Sequence, residues 1–258
     1  MIEMKKIVSV LLVLGLCTSV IAQTTKSVPV AVKSNAHLKV FNQAMITGDL
    51  GAAIVALNYY ISEQGGDNNY ADTLAMIYMQ QGAYAQCYYW SDKRLAAKPE
   101  DKNLMEMKGI SLEKLQQPKE AIAIFEKLYA KTQSPYHAYK LMGLQYSIKR
   151  LAECIATANS AEKLEFKPEF VMTYNVGDEM GRTYLQAGIF NIHGLALYDL
   201  DRKAEGKAYF ERAVALDSNF ALARQNLEAI KVIEGKANKV DPNNPQNPGS
   251  PANKPKQN

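Results

Sequence analysis

The sequence predicts an all-α fold in which helix pairs stack into a superhelical solenoid. Apolar residues recur at spacings of three and four along most of the chain, which is the pattern of amphipathic helices. Small or apolar residues also recur at intervals of 34, at Phe41, Ala75, Gly109 and Gly143. An interval of this length is typical of a repeat protein, in which each helix pair buries its apolar face against the next pair.

Composition and charge narrow the class of partner. The 258 residues are 47% hydrophobic and 22% charged, which is ordinary for a globular protein. The net charge of +4 is too small to indicate nucleic-acid binding, and the predicted helices carry no basic stripe with interleaved aromatic residues. We therefore expect no nucleic-acid partner.

Residues 1–22 have the organisation of a secretory signal peptide. Two lysines precede an apolar run from Ile7 to Val20, and Ala22 supplies the small residue before the cleavage site. We expect the mature chain to begin at Gln23 with a short linker, residues 23–33. After cleavage we expect no integral membrane segment, because the remaining sequence has no apolar run of about 20 residues.

The route of export and the membrane attachment have alternatives. The chain has no Asn-x-Ser/Thr site for N-glycosylation, which favours a bacterial route and therefore the periplasm. An uncleaved leader would instead anchor the chain in the membrane. A lipid on Cys17 is disfavoured, because Leu16 stands where lipoprotein signals carry a small residue.

The recurring spacing defines a repeat domain over residues 34–234. Each unit holds two short amphipathic helices joined by a polar or glycine-containing turn. After Gly143 the next matching residue is Gly194, a jump of 51 that predicts one extra helix. The predicted segments are units at about 34–67, 68–101, 102–135 and 136–168, an extra helix at 169–187, a unit at 187–220, a terminal helix at 220–234 and a disordered tail at 235–258.

The residues that recur within the units resemble those of a known repeat. They are Leu74, Ala75, Tyr78, Gly82, Tyr84 and Pro99 in one unit, Gly109, Ala121 and Phe125 in the next, and Gly194, Phe210 and Ala213 in the last. The pattern resembles the tetratricopeptide repeat (TPR) family, whose unit of 34 residues is a helix pair. The resemblance implies a right-handed superhelix of helical hairpins that binds a protein or peptide partner.

The resemblance also implies a concave groove, lined by the first helix of each pair. A groove that mixes methionine, asparagine and acidic residues suits a helix or an extended peptide with apolar and basic groups. The alternative for any one of these residues is that it only faces solvent. The positions that the resemblance assigns to the groove are Asn69, Asp72, Met76, Met79, Asn103, Glu106, Glu113, Lys114, His137, Lys140 and Tyr198.

The predicted extra helix at 169–187 has an unusual face of aromatic residues and glycines. At helical spacing they would share one side, and the glycines would need a close neighbour to offset their low helix propensity. That neighbour is either the adjacent repeat or a docked partner, and the array could divide at this point. The residues of this face are Phe170, Tyr174, Gly177, Gly181, Tyr184 and Gly188.

Chemistry-bearing residues are scattered. Cys87 and Cys154 fall two units apart, too far for a disulfide, so we expect two buried free thiols. His37, His137 and His193 are isolated in sequence and lack metal-ligand spacing. We also find no nucleophile elbow or phosphate loop. We therefore expect no catalytic residues, no metal, no cofactor and no enzyme activity.

The tail from residue 235 is rich in Pro, Asn and Lys and lacks the apolar residues needed for a core. Four prolines, Pro242, Pro245, Pro248 and Pro251, are spaced by three, which places them on one edge of a polyproline II helix. We expect a spacer or disordered tail, with a proline-rich ligand as the alternative.

These expectations combine into a function. The sequence favours an exported, non-catalytic scaffold that binds a protein or peptide partner in the bacterial cell envelope. The alternative is a self-assembling structural module. Its self-association would use the 169–187 face or the last helix near Leu227 and Ile230.

Overall fold

The computed structural model describes residues 35–65 and 69–240, with side chains described as far as residue 235. The chain divides into two units, Met1–Ala36 and His37–Asn258, and nearly all described residues belong to the second. The predicted signal peptide and linker, and the part of the predicted tail after residue 240, lie outside the described residues.

The described residues are mostly helical, as the sequence predicts. Ten helices form five successive pairs, and an eleventh helix follows the last pair. The pairs are α1 (Ala36–Thr47) with α2 (Leu50–Glu63), α3 (Tyr70–Gln80) with α4 (Tyr84–Ala97), α5 (Lys102–Lys114) with α6 (Pro118–Thr132), α7 (Pro135–Ser147) with α8 (Leu151–Ala161), and α9 (Leu185–Asp199) with α10 (Lys203–Leu216); α11 is Ala221–Val240.

The turn inside every pair has the same geometry. One residue after each first helix adopts a positive φ, and the N–H of the following residue donates to the carbonyl five positions earlier. This bond belongs to the Schellman motif that closes helices. Its N···O distance is 2.9 Å from Asp49 to Ala44, Ala83 to Tyr78, Gln117 to Leu112 and Arg150 to Gln145, and 3.0 Å from Arg202 to Leu197. The positive-φ residues are Gly48, Gly82, Gln116, Lys149 and Asp201.

These turns show that one predicted register is wrong. From Gln116 to Lys149 the spacing is 33 residues, whereas it is 34 from Gly82 to Gln116. The connection before α7 is only Gln133–Ser134, which is shorter than the 98–101 connection before α5. Met142, and not Gly143, therefore occupies the position that Gly109 has in α5.

Packing at these positions agrees with the corrected register. A Cβ on Gly109 would lie 2.9 Å from Phe125 Cε2, and one on Gly194 would lie 2.7 Å from Phe210 Cε1. Both glycines therefore permit a close approach of the two helices in their pair. A Cβ on Gly143 would have no atom within 4 Å, while Met142 is fully buried.

Apolar side chains form a core along the described repeats. The largest cluster runs from α5 to α9 and includes Phe125, Leu128 and Ile189. Cys87 and Cys154 are buried and free, which confirms the predicted thiols. The Cys154 thiol donates to the Met142 carbonyl at 3.5 Å, and burial raises the Cys154 pKa to about 12.

The predicted helix at 169–187 is wrong, because the segment is a β-hairpin. Strand β1 (Val171–Val176) pairs antiparallel with β2 (Glu179–Tyr184). Gly177 has a φ of +58° and opens the two-residue loop between the strands, as two-residue hairpin loops favour. Alternating β-branched and aromatic residues beside a Gly-Asp turn are a hairpin signal. The spacing of the aromatic residues and glycines fits a helix equally well and masks that signal.

The hairpin is docked through Tyr174. Its ring would overlap a Cβ on the cross-strand Gly181, so the close neighbour of this glycine is an aromatic residue and not a helix. The same ring packs edge-on against Phe220 with centroids 4.9 Å apart. The Tyr174 hydroxyl accepts the Ala221 N–H at 3.1 Å. These contacts fix the hairpin against the start of α11.

The array continues past the hairpin without dividing. Helix α9 packs on α7 and α8. The carboxylate of Glu162, at the end of α8, accepts a hydrogen bond from His193 Nδ1 of α9 at 2.8 Å and pairs with Arg212 of α10 at 3.0 Å. Burial lowers the pKa of His193, which favours its neutral form in this bond.

Helix α11 continues to Val240, beyond the end predicted at residue 234. Gly235 does not stop the helix, because a single glycine costs only about 1 kcal/mol relative to alanine. The next strong helix breaker is Pro242, which also disfavours helical geometry at the residue before it. No described helix is both long enough and apolar enough to cross a membrane.

Candidate partner-binding groove

The groove face is the surface of α3, α5, α7 and α9 on which the predicted groove residues lie. A carboxylate–imidazole contact and an ion pair connect α5 to α7 along it. Glu106 Oε2 lies 3.3 Å from His137 Nε2, and Glu113 pairs with Lys140. The sequence brings these four residues together because side chains on neighbouring first helices face each other when helix pairs stack.

His137 is a structural residue of this face. Its side chain is 9% exposed, and its Nδ1 shares a hydrogen bond with the Thr132 hydroxyl at 2.7 Å. With one ring nitrogen bound to Thr132 and the other beside Glu106, the ring joins α6, α5 and α7. A partner would therefore meet the exposed part of Glu106 and not the imidazole.

Asn69 and Asp72 hold together the two helices of their own repeat. Asp72 Oδ1 accepts a hydrogen bond from Arg94 Nε at 2.5 Å, and its Oδ2 binds Lys98 Nζ at 2.7 Å. Asn69 Oδ1 also accepts from Lys98 at 3.0 Å. Because the Arg94 side chain is only 4% exposed, Asp72 supplies a carboxylate that helps to neutralise a buried guanidinium between α3 and α4.

The remaining predicted residues keep part of their surface in solvent. Asn103 and Lys114 are exposed on α5, Met76 and Met79 are half-buried on α3, and Tyr198 is half-buried on α9. Next to Tyr198, the Asp199 carboxylate accepts hydrogen bonds from the Tyr146 hydroxyl at 3.1 Å and from Lys149 at 2.7 Å. These bonds extend the groove face from α7 to α9.

A strip of tyrosines on α7 was missed by the sequence reasoning. With the 33-residue register, the α5 positions Asn103, Glu106 and Glu113 correspond to Tyr136, Tyr139 and Tyr146. We call these three residues the tyrosine strip. The Ser134–Pro135 helix start would have revealed the shorter spacing, because proline is favoured at the first position of a helix.

The phenols of the strip are held neutral. Burial raises the pKa of Tyr136 to about 12, with Glu106 and Glu113 adding to the rise. Burial and Glu113 raise the pKa of Tyr139 to about 12. Both hydroxyls therefore remain protonated hydrogen-bond donors across the physiological pH range.

A depression of about 430 Å³ opens beside the strip. Gly143 lies in its lining, and since a Cβ there would touch nothing, the helix surface at that point is free. The volume lies within the range of small binding pockets. The lining residues are Glu113, Gln116, Pro118, Tyr139, Lys140, Gly143, Leu144, Ser147 and Ile148.

The structure also places the three histidines and tests for metal-ligand clusters. His193 and His137 are buried, and His37 binds Glu63 at 3.0 Å. Within residues 35–65 and 69–240, no three His, Cys, Asp or Glu side chains converge as metal ligands would.

Comparison with known proteins identifies the class. A sequence model of the tetratricopeptide repeat matches residues 187–220, which span the pair α9–α10. No curated protein matches the chain in sequence. The crystal structure of YrrB, described as a TPR protein with an unusual peptide-binding site, has a TM-score of 0.59 at 14% identity and covers 74% of this chain and 90% of its own.

Two further solved structures are similar to the chain in fold. The MamA protein has a TM-score of 0.58 at 16% identity, covering 72% of this chain and 92% of its own. MamA from residue 41, from Desulfovibrio magneticus RS-1, has 0.56 at 17% identity, covering 71% and 94%. At these identities the likeness shows the fold. The fold of the described residues is a helical-repeat solenoid like that of these proteins. Residues 187–220 match a tetratricopeptide repeat, which confirms the resemblance seen in the sequence.

Proposed function

We propose that this protein is an exported, non-catalytic scaffold that binds a protein or peptide partner along the groove face, in the bacterial cell envelope. The observation that carries the proposal is the tyrosine strip beside the depression over Gly143. Tyr139 lines the depression, and Tyr136, one helical turn before it, is 38% exposed. Aromatic side chains of this kind supply much of the binding energy of protein interfaces.

The chemistry of the face favours an extended peptide with apolar and basic groups. Neutral phenols offer flat apolar surface and hydrogen-bond donors without desolvating a charge. Glu106 lies beside a buried imidazole and keeps part of its carboxylate exposed, so it attracts a basic group to the rim. The Glu113 carboxylate is already paired with Lys140. That YrrB, with the same fold, is described as having a peptide-binding site supports this use of the surface.

The binding site is tested by capture of the native protein from cells followed by quantitative mass spectrometry. The groove variant combines Tyr136→Ala with Lys114→Glu and so changes two exposed residues of the groove face. The control, Tyr89→Ala, removes an exposed tyrosine from α4, which is the second helix of its pair and not part of that face. We expect partners to be depleted at least fivefold by the groove variant only. Equal depletion, or none, would refute binding along this face.

Export to the periplasm rests on the leader, whose basic start, apolar run and small residue before Gln23 fit a cleaved signal. N-terminal sequencing of the cellular protein should give Gln23 as the first residue, and fractionation should place it in the periplasm. A retained Met1 would favour the membrane-anchored alternative.

A second candidate function is self-assembly through α11. Val232 and Ile233 are 48% and 54% exposed on this last described helix, and exposed apolar residues at the end of a solenoid favour association. Ile230 is buried and so cannot be part of the contact. Light scattering of the full chain and of Val232→Lys would show a mass that depends on concentration in the first sample only.

A further inference from the structure

The surface at Gly143 lacks a neighbour that would explain a glycine. The φ of this residue is not positive, and glycine weakens the interior of a helix. Three other helical glycines are explained by contact, since Cβ atoms on Gly109, Gly194 and Gly206 would all meet side-chain or backbone atoms closer than 3.0 Å, whereas Gly235 near the end of α11, like Gly143, would meet none within 4 Å. At Gly143 the free space coincides with the depression, which points to an occupant that approaches the helix backbone.

The tyrosine strip gives the shape of that occupant. Residues 136, 139 and 146 lie on one side of α7, because their separations of three and seven residues are close to whole helical turns. A row of aromatic rings on a groove favours a proline-rich segment in the polyproline II conformation, whose prolines fit between rings at little entropic cost.

This chain contains a segment of matching chemistry. Residues 241–258 carry prolines at 242, 245, 248 and 251, and Lys254 and Lys256 follow them. The prolines would share one edge of a three-residue-per-turn helix. The lysines complement Glu106, whose partly exposed carboxylate lies beside the tyrosine strip.

The segment is also long enough to reach the depression. It begins where α11 ends, at Val240. At about 3.1 Å per residue its extended length is roughly 55 Å. Helix α9 packs on α7 and is bonded to α11 through Asn191 and Asn226. The path from α11 to α7 therefore spans two helix spacings of about 8–10 Å each, or about 20 Å. An extended chain covers this distance in roughly seven residues, so Pro248 and Pro251 are within reach of the strip.

We propose that the tyrosine strip and the depression over Gly143 bind the chain's own tail, residues 241–258, in an extended proline-rich conformation. The proposal rests on the groove site proposed above and names its resident ligand. A partner would then have to displace the tail, so the tail would set the affinity threshold for partners.

The experiment is photo-crosslinking within the full chain. A photoreactive amino acid replaces Ser147, which lines the depression, and in a control replaces the exposed Asn159 of α8. Mass spectrometry then maps the adducts. We expect adducts from position 147 on peptides of 241–258, at least tenfold above those from position 159. Adducts elsewhere, or equal tail adducts from both positions, would overturn the proposal.

Two variants and an isotope-labelled mixture test the crosslinking result further. Gly143→Trp fills the depression without meeting protein atoms at its Cβ, and Pro248→Ala with Pro251→Ala changes only residues outside the described helices. Each variant should reduce the position-147 adducts at least fivefold. The proposal would be refuted if neither variant reduced them. In a mixture of ¹⁴N and ¹⁵N protein, mixed-isotope adducts would assign the occupant to a second copy and refute the intramolecular tail.

These experiments distinguish failure of the tail proposal from failure of the groove proposal. If tail adducts are absent while Tyr136→Ala with Lys114→Glu still loses partners, the tail inference fails and the groove scaffold stands. If tail adducts form while that variant keeps its partners, the tail inference stands and partner binding at the groove fails.

Discussion

The close packing of α9 on α10 predicts that Gly194→Ala destabilises the protein. A Cβ on Gly194 would lie 2.7 and 2.8 Å from two atoms of the Phe210 ring and 2.9 Å from the Gly206 carbonyl oxygen. The ring is fully buried in a packed core, and the carbonyl belongs to the backbone of α10. Neither neighbour can move without shifting the helix pair.

The expected magnitude follows from two opposing effects. Overpacking a core by one methyl costs about 1–3 kcal/mol, and the backbone contact at Gly206 favours the upper part of that range. Alanine in place of glycine within a helix stabilises the folded state by about 1 kcal/mol. The free energy of unfolding should therefore fall by about 1–2 kcal/mol. Gly143→Ala, with no atom within 4 Å of its Cβ, should instead raise it by up to about 1 kcal/mol.

Urea unfolding followed by circular dichroism at 222 nm measures both variants against the native chain. Because repeat arrays can lose two-state behaviour, the comparison requires equal m-values in the three proteins. The reasoning predicts opposite shifts of the urea midpoint. A Gly194→Ala protein at least as stable as Gly143→Ala would refute the close helix approach.

Three further predictions concern thiols, a buried ion pair and a turn. The Cys154 thiol, with a pKa of about 12, should not react with Ellman's reagent at pH 8 until urea unfolds the chain; reaction in the native state would contradict its burial. Asp72→Asn should lower the free energy of unfolding by about 2 kcal/mol, because it removes a carboxylate bound to the buried Arg94 guanidinium; an unchanged urea midpoint would contradict this. Gln116→Gly should raise the thermal midpoint by about 2–4 °C, since Gln116 has a φ of +59°, whereas Gln117→Gly, outside that region, should not.

The repeats were predictable because several local signals agree. Helical periodicity, the glycine turns at Gly48 and Gly82, and the small residues at Ala75 and Gly109 all indicate paired helices. The same signals fail where a residue type departs from the pattern. At the third and fourth turns Gln116 and Lys149 replace glycine, so the loss of one residue before α7 leaves no glycine to mark it.

The hairpin and the groove chemistry depend on contacts distant in sequence. The strand register of Tyr174 with Gly181 competes with an equally good helical spacing, and docking on Phe220 decides between them. Asp72 was a reasonable groove residue by position, but its partner Arg94 comes from the next helix. A one-residue error in register moved the predicted groove on α7 from the tyrosines to His137 and Lys140.

The central claim is that partners bind the first-helix face through the tyrosine strip. The most direct measurement places a photoreactive amino acid in living cells at Tyr136 of α7 or, as a matched exposed tyrosine, at Tyr89 of α4. Mass spectrometry then identifies the crosslinked proteins. The account predicts a short list of partner proteins from position 136 that is absent from position 89. The same partners from both positions, or partners from position 89 alone, would contradict it.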